Sequence, residues 1–214
     1  MAKAPVPGTV KTRLRLPPRQ AADLQAALVR DTLEKARALG FGSVMVAGTP
    51  PGSLSLLRKL LPDEGVGLVA QSGGDLGERM FAAVARLFEE GPEPVLILGA
   101  DAPTLPSGSI VRAAHALDGR YDASIIGSTD GGYVLLGLRE PYEGLFQDVR
   151  WSIQTVYRET IERARDLGLS VNEGEPHYDI DTPEDLSRLA KELAACPDHA
   201  PYTAEVLRRL VRRP

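Results

Sequence analysis

Cysteine, aromatic residues and long apolar runs are all scarce in this sequence. The single cysteine, Cys196, excludes an internal disulfide framework and a cysteine-ligated zinc site, and it suits a reducing compartment. No apolar run approaches the roughly 20 residues that span a bilayer, and residues 1–5 hold no apolar signal-peptide core. We therefore expect a cytoplasmic protein with no membrane span.

Positive charge is not in excess either. The net charge of −4 gives no broad basic surface, so nucleic acid is not an expected partner. The three histidines, His115, His177 and His199, lack the spacing of metal ligands. The sequence contains no Gly-x-Ser-x-Gly motif, which argues against an α/β-hydrolase. The 214 residues, 43% of them hydrophobic, can bury a full core. We predict one domain over residues 1–196 and a C-terminal helical tail over residues 197–214, packed on the domain or extending from it.

The most informative stretch is a short apolar run that ends in a carboxylate. Val95–Leu98 are four consecutive aliphatic residues, which predict a strand buried on both faces. Asp101 then stands at the carboxyl end of that strand, the edge where open α/β sheets bind ligands. A carboxylate beside a buried strand is costly without a partner, and a divalent cation is the obvious one. The alternative is that Asp101 only caps a helix predicted to begin near Ser107.

A second group of carboxylates lies near the C-terminus. Thr182–Asp185 have the composition of a helix N-terminus with a capping box. That leaves Asp179 and Asp181, which are two apart on an extended segment and therefore face the same side. Together with Asp101 they would form an oxygen-rich site suited to Mg²⁺ or Mn²⁺.

The N-terminal residues 3–16 contain two prolines and one glycine among basic residues, which is typical of a loop. Gly8 is free to bring backbone amides close to a ligand, and Lys11 and Arg13 could then contact phosphates. The alternative is an ordinary solvated basic loop, in which both side chains are exposed and contribute little to stability.

The remaining pattern alternates between strands and helices, which indicates an α/β protein. The turn at Asp130-Gly131-Gly132 separates two apolar strands, so we predict a hairpin-like reversal and a mixed sheet. Trp151 is expected to be a core residue before a helix that begins near Ser152. The other predicted helices cover residues 19–39, 77–90 and 110–117, and a further one follows the Pro51-Gly52 turn to about residue 61. The predicted strands cover residues 43–47, 66–70, 95–98, 123–127 and 133–138.

Six segments of the sequence carry a family resemblance: KAPVPGTVKTRL, GDLGERM, GADAPTLP, DGGYVLLGL, Trp151-Ser152 and YDIDTPEDL. Together they resemble one bacterial family, assigned as glycosyltransferases of the arsenosugar-biosynthesis type. The resemblance covers about residues 2–190 and implies a glycosyltransferase-A, or nucleotide-diphospho-sugar transferase, fold: a three-layer α/β/α sandwich with a mostly parallel, mixed sheet. The chain is more distantly similar to 2-phospho-L-lactate guanylyltransferase and to the molybdenum-cofactor nucleotidyltransferases.

The resemblance implies roles for particular residues. Asp101 takes the place of the metal-binding aspartate, with Asp179 or Asp181 as the second carboxylate. The residues implied to bind the nucleotide are Lys3, Pro5, Gly8, Lys11, Thr12, Arg13, Gln71, Gly77 and Arg79, and those implied to face the sugar or the acceptor are Asp130, Gly131, Gly132, Tyr133 and Trp151.

The sequence departs from the family pattern at two places. Ile153 stands where the family has a threonine after Trp-Ser, which removes a hydroxyl group. No apolar run precedes Lys3, so we expect the first strand of the fold to be missing and the recorded start to lie inside a longer reading frame.

The implied chemistry is metal-assisted group transfer to a small-molecule acceptor. Mg²⁺ or Mn²⁺ would bridge diphosphate oxygens, Lys11 and Arg13 would stabilise the same charge, and Asp130 is a candidate general base. A glycosyltransferase using a nucleotide sugar is the first hypothesis. A nucleotidyltransferase joining an NTP to a phosphorylated metabolite or cofactor precursor is the second, and a non-catalytic nucleotide-binding protein is the third. A homodimer is left open.

Overall fold

The computed structural model describes residues 1–62, 64–91, 94–151 and 153–211. They form two compact units. The first comprises Met1–Ala70, Ala100–Thr104 and Asp179–Pro214, and the second comprises Gln71–Gly99 and Leu105–Tyr178. Within the described residues, none of the helices combines the length and the apolar character needed to cross a bilayer.

Strands and helices alternate along most of the chain, as predicted. In chain order they are β1 (Ala2–Lys3), α1 (Pro18–Leu39), β2 (Val44–Thr49), α2 (Leu54–Arg58), β3 (Val66–Ala70), α3 (Leu76–Glu90), β4 (Val95–Leu98), α4 (Ser107–Ala116), β5 (Ala123–Ser128), β6 (Tyr133–Leu138), α5 (Val156–Asp166), β7 (Val171–His177), α6 (Pro183–Ala195) and α7 (Pro201–Val211). The predicted start of α5 at Ser152 lies outside the described residues.

The first unit is built on a parallel three-stranded sheet in the order β1-β2-β3. The sequence predicts a loop from residue 3 and no first strand, whereas Ala2 pairs with Gly48 and Lys3 with Thr49. The amide of Ala4 then donates a hydrogen bond to the carbonyl of Thr49 at 2.7 Å. Aliphatic side chains of the three strands, α1, α2 and the adjoining loops form the core of this unit: Ala2, Ala4, Val29, Leu33, Val46, Leu57, Leu61, Val66 and Ala100.

The second unit contains a four-stranded sheet in the order β4-β6-β5-β7. β6 is antiparallel to both β4 and β5, while β5 is parallel to β7, so the predicted mixed sheet is confirmed. The prediction that β4 is buried on both faces is wrong for Leu96–Leu98, which are only half-buried, while Val95 is buried. β4 lies at the end of this sheet and has one pairing neighbour in it, whereas β5 lies inside and is buried along its whole length.

Local sequence explains several helix ends. Gly40 ends α1 in a left-handed conformation with φ 67°, which glycine adopts without steric cost. At α6, Thr182 and Asp185 form the predicted capping box, in which each side chain accepts a hydrogen bond from the other residue's amide. The alternating strands and helices described above confirm the α/β fold class. The domain boundary at residues 196/197 stays a prediction.

Helix α7 is fixed to α1 by a buried carboxylate. Asp31 on α1 accepts hydrogen bonds from the amides of Tyr202 and Thr203, at 3.1 and 2.8 Å. These amides belong to the first turn of α7, where no carbonyl of the same helix can accept from them. Burial raises the pKa of Asp31, although the amide hydrogen bonds oppose that shift. Asp31 thus acts as an N-terminal cap supplied by another helix.

We expect Asp31→Ala to lower the free energy of unfolding by about 2–6 kcal/mol, because two amides lose their acceptor at roughly 1–3 kcal/mol each. The substitution also removes the cost of burying the Asp31 carboxylate, so we expect a loss in the lower part of that range. Asp31→Asn keeps one acceptor oxygen and should lose less. Urea unfolding measures both, with Asp23→Ala, an exposed position on the same helix, as the control. Equal losses for the Asp31→Ala and Asp23→Ala variants would contradict the capping role.

Candidate functional site

The basic loop between β1 and α1 has an unusual backbone. Gly8, Lys11 and Arg15 all have positive φ, at 82°, 49° and 57°. This conformation suits glycine but costs free energy for lysine and arginine, and such strain is concentrated at functional sites. The exposed Lys3 links the two ends of this segment, since its ammonium donates to the carbonyl of Thr9 at 2.7 Å.

Lys11 lies at the centre of a charged cluster in the first unit, which consists of Lys11, Arg13, Asp101 and Asp181. Its side chain is only 4% exposed, and Nζ lies 2.6 Å from Asp101 Oδ1 and 3.6 Å from Asp181 Oδ1. Nζ also donates a hydrogen bond to the carbonyl of Ile180 at 2.7 Å. The alternative of a fully solvated basic loop is therefore wrong at Lys11, because three oxygens from distant parts of the sequence surround its ammonium.

Arg13 shows the opposite behaviour. Its side chain is 79% exposed, and its guanidinium lies 3.3 Å from Asp181 Oδ2. Arg13 belongs to a short 3₁₀ turn, Thr12–Leu14, to which no described side chain supplies a cap. The exposed Thr12 and Arg13 therefore stand next to the buried cation, while Pro5 is half-buried earlier in the loop. The loop thus combines one buried and one solvent-facing positive charge.

Asp101 has a charge partner within the protein, Lys11, where the sequence suggested a divalent cation as the obvious partner. Its Oδ1 atom is buried, and among the described residues its contact with Lys11 does not have hydrogen-bond geometry. The whole side chain is 45% exposed. The backbone of the same residue is fixed, since its carbonyl accepts from the amide of Ile180 at 3.0 Å.

The alternative role of Asp101 as a helix cap is wrong. Helix α4 begins at Ser107 with Pro106 at the N-cap position, and no described side chain caps it. Asp101 is therefore available to the cluster around Lys11.

Asp179 and Asp181 lie close together, as the extended-segment argument predicts. One carboxylate oxygen of Asp179 lies within 4.8 Å of one of Asp181. The donors in this part of the first unit are then three carboxylates, from Asp101, Asp179 and Asp181, and the carbonyl of Ile180. These are hard oxygen ligands of the kind that Mg²⁺ and Mn²⁺ prefer, so the residues fit a divalent cation. In this structure the positive charge next to Asp101, Asp181 and the Ile180 carbonyl is the ammonium of Lys11.

The sequence argument missed Ile180. A backbone carbonyl leaves no mark in side-chain patterns, and only its place between two aspartates on an extended segment was available as a signal. The neighbouring carbonyl matters because it gives the Lys11 ammonium a third oxygen ligand.

The Asp130-Gly131-Gly132 turn belongs to the second unit and joins β5 to β6. Asp130 is exposed, and its Oδ1 accepts from the amide of Gly132 at 2.9 Å. Gly131 has φ 95°, and a Cβ placed there would lie 1.9 Å from the carbonyl oxygen of Gln154. The amide of Tyr157 also donates to the carbonyl of Gly131 at 2.9 Å. The turn therefore needs glycine for its packing against the start of α5.

The glycine-rich turn after Gln71 is closed by its own carboxylates. Asp75 Oδ1 accepts from the amide of Glu78 at 2.8 Å, and Glu78 Oε2 accepts from the amide of Gly74 at 2.6 Å. Arg79 donates through Nε to the carbonyl of Asp75 at 2.8 Å. A phosphate at this helix terminus would meet two carboxylates, so the implied nucleotide contacts of Gln71, Gly77 and Arg79 stay predictions.

Trp151 packs on the same turn. A Cβ on Gly77 would lie 2.5 Å from the Trp151 ring, and the ring stacks on Phe146 with centroids 6.5 Å apart. Trp151 is half-buried rather than fully in the core, and its Nε1 is buried with no hydrogen-bond partner among the described residues. Gly77 therefore has a packing reason independent of any ligand.

Among the groups of the second unit whose pKa is shifted, two bear on the predicted site residues. Hydrogen bonds from the Arg150 amide and guanidinium lower the pKa of Glu159 to about 2, which ties the segment before Trp151 to α5. Burial raises the pKa of Tyr133, whose hydroxyl donates to the sulfur of Met80 at 3.7 Å. The Tyr133 phenol therefore stays protonated at neutral pH.

Comparison with known proteins identifies relatives. A family model described as "Uncharacterized protein conserved in bacteria (DUF2064)" matches residues 32–153. None of the curated proteins matches the chain. A solved structure from Desulfovibrio desulfuricans G20, assigned as a nucleotide-diphospho-sugar transferase, has 31% sequence identity and a TM-score of 0.88. The match covers 97% of this chain and 91% of the other.

Two more distant structures share the fold. The 4-diphosphocytidyl-2C-methyl-D-erythritol synthase of Anaerococcus prevotii DSM 20548 has 12% identity and a TM-score of 0.61, over 78% of this chain and 89% of the other. Rv0371c of Mycobacterium tuberculosis H37Rv, in complex with manganese, has 18% identity and a TM-score of 0.56, over 89% of this chain and 95% of the other. The implied nucleotide-diphospho-sugar transferase fold is confirmed, and the neighbours agree with the predicted enzyme class, a transferase.

The close packing at Gly131 gives a test of the turn. We expect Gly131→Ala to cost about 1–3 kcal/mol more than Gly119→Ala, because the new methyl group would overlap the Gln154 carbonyl. Gly119 has a similar φ of 86° but open space around it, so it isolates the backbone strain. Urea unfolding of both variants measures the difference, and equal losses would show that the turn relaxes away from α5.

Proposed function

The chain belongs to the bacterial family DUF2064, and from that membership together with its charged cluster we propose that it is a metal-dependent nucleotide-diphospho-sugar transferase. In this proposal the protein moves a sugar from a nucleotide sugar to a small-molecule acceptor. The arsenosugar type of acceptor chemistry, implied by the sequence resemblance, is the finer form of the same proposal.

One observation carries the proposal. The sequence predicts phosphate contacts for Lys11 and Arg13 and metal contacts for Asp101 and Asp181. These four residues come from three separate segments of the sequence. In the first unit their charged groups meet: Lys11 contacts both carboxylates, and Arg13 contacts Asp181. A convergence of acids and bases with one buried member is typical of sites that bind charged ligands.

The cluster supports diphosphate binding in two ways. Arg13 presents an exposed guanidinium, whose planar fork suits phosphate oxygens, and Lys11 supplies a compact second charge beside it. Asp101, Asp179 and Asp181 would hold the divalent cation. When bound, that cation supplies a positive charge that polarises diphosphate oxygens and stabilises the leaving group. Lys11 and Arg13 then stabilise the negative charge of the departing nucleoside diphosphate.

We assign the acceptor side to the turn of the second unit. Asp130 is exposed at the tip between β5 and β6, and one of its oxygens is held by the Gly132 amide. A carboxylate fixed in this way can accept a proton from an acceptor hydroxyl, so Asp130 is the proposed general base. Gly131, Gly132, Tyr133 and Trp151 are proposed to shape this side.

A nucleotidyltransferase is the second candidate. The observation that favours it is the exposed positive charge of the N-terminal loop, where Arg13 and Arg15 both lie at the surface before α1. Such a loop suits a triphosphate as well as a diphosphate.

The two activities differ in their products. We expect incubation with nucleotide sugars and an acceptor mixture, in Mg²⁺ or Mn²⁺, to release a free nucleoside diphosphate. Release of pyrophosphate from an NTP in the presence of phosphorylated metabolites would instead establish nucleotidyl transfer. Neither product, together with a ligand-induced rise in melting temperature, would identify a non-catalytic nucleotide-binding protein.

We expect Asp101→Asn to abolish most of the metal-dependent rise in melting temperature that nucleotides or nucleotide sugars produce, while the fold remains. Asparagine keeps the shape of the side chain but loses the charge that a hard cation prefers. Thermal shift with and without Mg²⁺ measures the effect, and Asp198→Asn, at an exposed position of the same unit, is the control. A metal response in the Asp101→Asn variant equal to that of the parent would remove Asp101 from the metal site.

A further inference from the structure

The oxygens around Lys11 resemble the coordination shell of a metal ion. Asp101 Oδ1, the Ile180 carbonyl and Asp181 Oδ1 lie 2.6, 2.7 and 3.6 Å from Nζ. Two carboxylates and a backbone carbonyl form a typical ligand set for a hard divalent cation. The ammonium group therefore lies where the proposed metal would need to bind.

This arrangement is held against two opposing costs. The Lys11 side chain is 4% exposed, so its ammonium loses most of its hydration. Its backbone also has a left-handed conformation, with φ 49° and ψ 34°, which is unfavourable for a residue with a side chain. Two carboxylate oxygens and one carbonyl oxygen around the ammonium offset these costs, so a stronger competitor for the same oxygens can release the side chain.

We infer that Lys11 is a tethered cation that occupies the metal position, and that its ammonium and a divalent ion exclude each other there. The inference rests on the proposed function, because it concerns the cation of that site. Asp101 Oδ1 is buried and faces the Lys11 ammonium, so a metal ion can reach this oxygen only if Nζ moves away. Two positive charges within about 3 Å in a partly dehydrated site also repel each other strongly.

The exclusion has a consequence for phosphate binding. Metal binding releases the Lys11 ammonium, and the neighbouring exposed residues of the loop, Thr12 and Arg13, show that this segment faces solvent. The freed ammonium then joins the Arg13 guanidinium as a second mobile charge for phosphate oxygens. Metal and diphosphate therefore bind cooperatively, because the first ligand liberates a group that the second one uses.

The first test measures the affinity for Mn²⁺ alone, by electron paramagnetic resonance of the free ion. Lys11→Met removes the charge but keeps an unbranched side chain of similar length. We expect this variant to bind Mn²⁺ at least about tenfold more tightly than the parent, because the tethered competitor is gone. Arg13→Met removes a positive charge beside the same Asp181 from an exposed position, so it should change the affinity far less.

The second test uses the unaltered chain and does not depend on how the variants fold. Acetylation with an N-hydroxysuccinimide ester, followed by mass spectrometry, reports how accessible each lysine is. Lys11 should react slowly without metal and at least about fivefold faster in saturating Mg²⁺, because a buried, ion-paired amine reacts only after it is released. Lys191, exposed on α6 of the same unit, should react at the same rate in both conditions.

The outcomes separate this inference from the proposed function. Tight metal binding with unchanged Lys11 acetylation, or equal Mn²⁺ affinities in the parent and the Lys11→Met variant, would overturn the exclusion and leave the transferase proposal intact. No Mn²⁺ binding by either protein would overturn both the exclusion and the metal dependence of the proposed reaction. Tighter binding together with faster acetylation would support the exclusion even if no sugar donor is found.

Discussion

The contact of one buried ammonium with three oxygens is the constraint on which the first unit depends. This unit is assembled from three stretches of the chain, and Lys11 belongs to the first, Asp101 to the second, and Ile180 with Asp181 to the third. The side chain of Lys11 therefore links all three at one point. Because the buried Lys11 ammonium would be a charge without a partner if these oxygens were lost, the second and third segments stabilise the placement of the first.

Sequence patterns predicted the elements that depend on local chemistry. The bounds of α1 and β3 follow from an amphipathic stripe and a short apolar run, and the start of α6 follows from a capping box. All three signals are decided by neighbours in the chain. The mixed sheet followed from the Asp130–Gly132 turn for the same reason. The choice of Lys11, Asp101 and Asp181 as site residues also came from short motifs, and these charged groups do meet.

What the sequence could not provide is the set of partners. Asp101 has no basic neighbour in the chain, so a metal was the expected counter-ion, whereas Lys11 lies 90 residues earlier and supplies the charge. The burial of Lys11 and the part played by the Ile180 carbonyl depend on the same long-range approach. The half-buried state of β4 likewise follows from strand order in the sheet, which an apolar run of four residues does not encode.

The two units differ in how far packing alone accounts for their unusual residues. In the second unit, Gly77 makes room for the Trp151 ring and Gly131 for the Gln154 carbonyl, so stability alone would select both glycines. Packing does not explain Lys11 in the first unit in this way. Apolar side chains of similar volume generally stabilise a fold as well as a buried ion pair does. A buried charge on a strained backbone, with acids on two sides, contributes more to binding a charged ligand than to folding. That difference is the physical reason to place the phosphate and metal chemistry at Lys11.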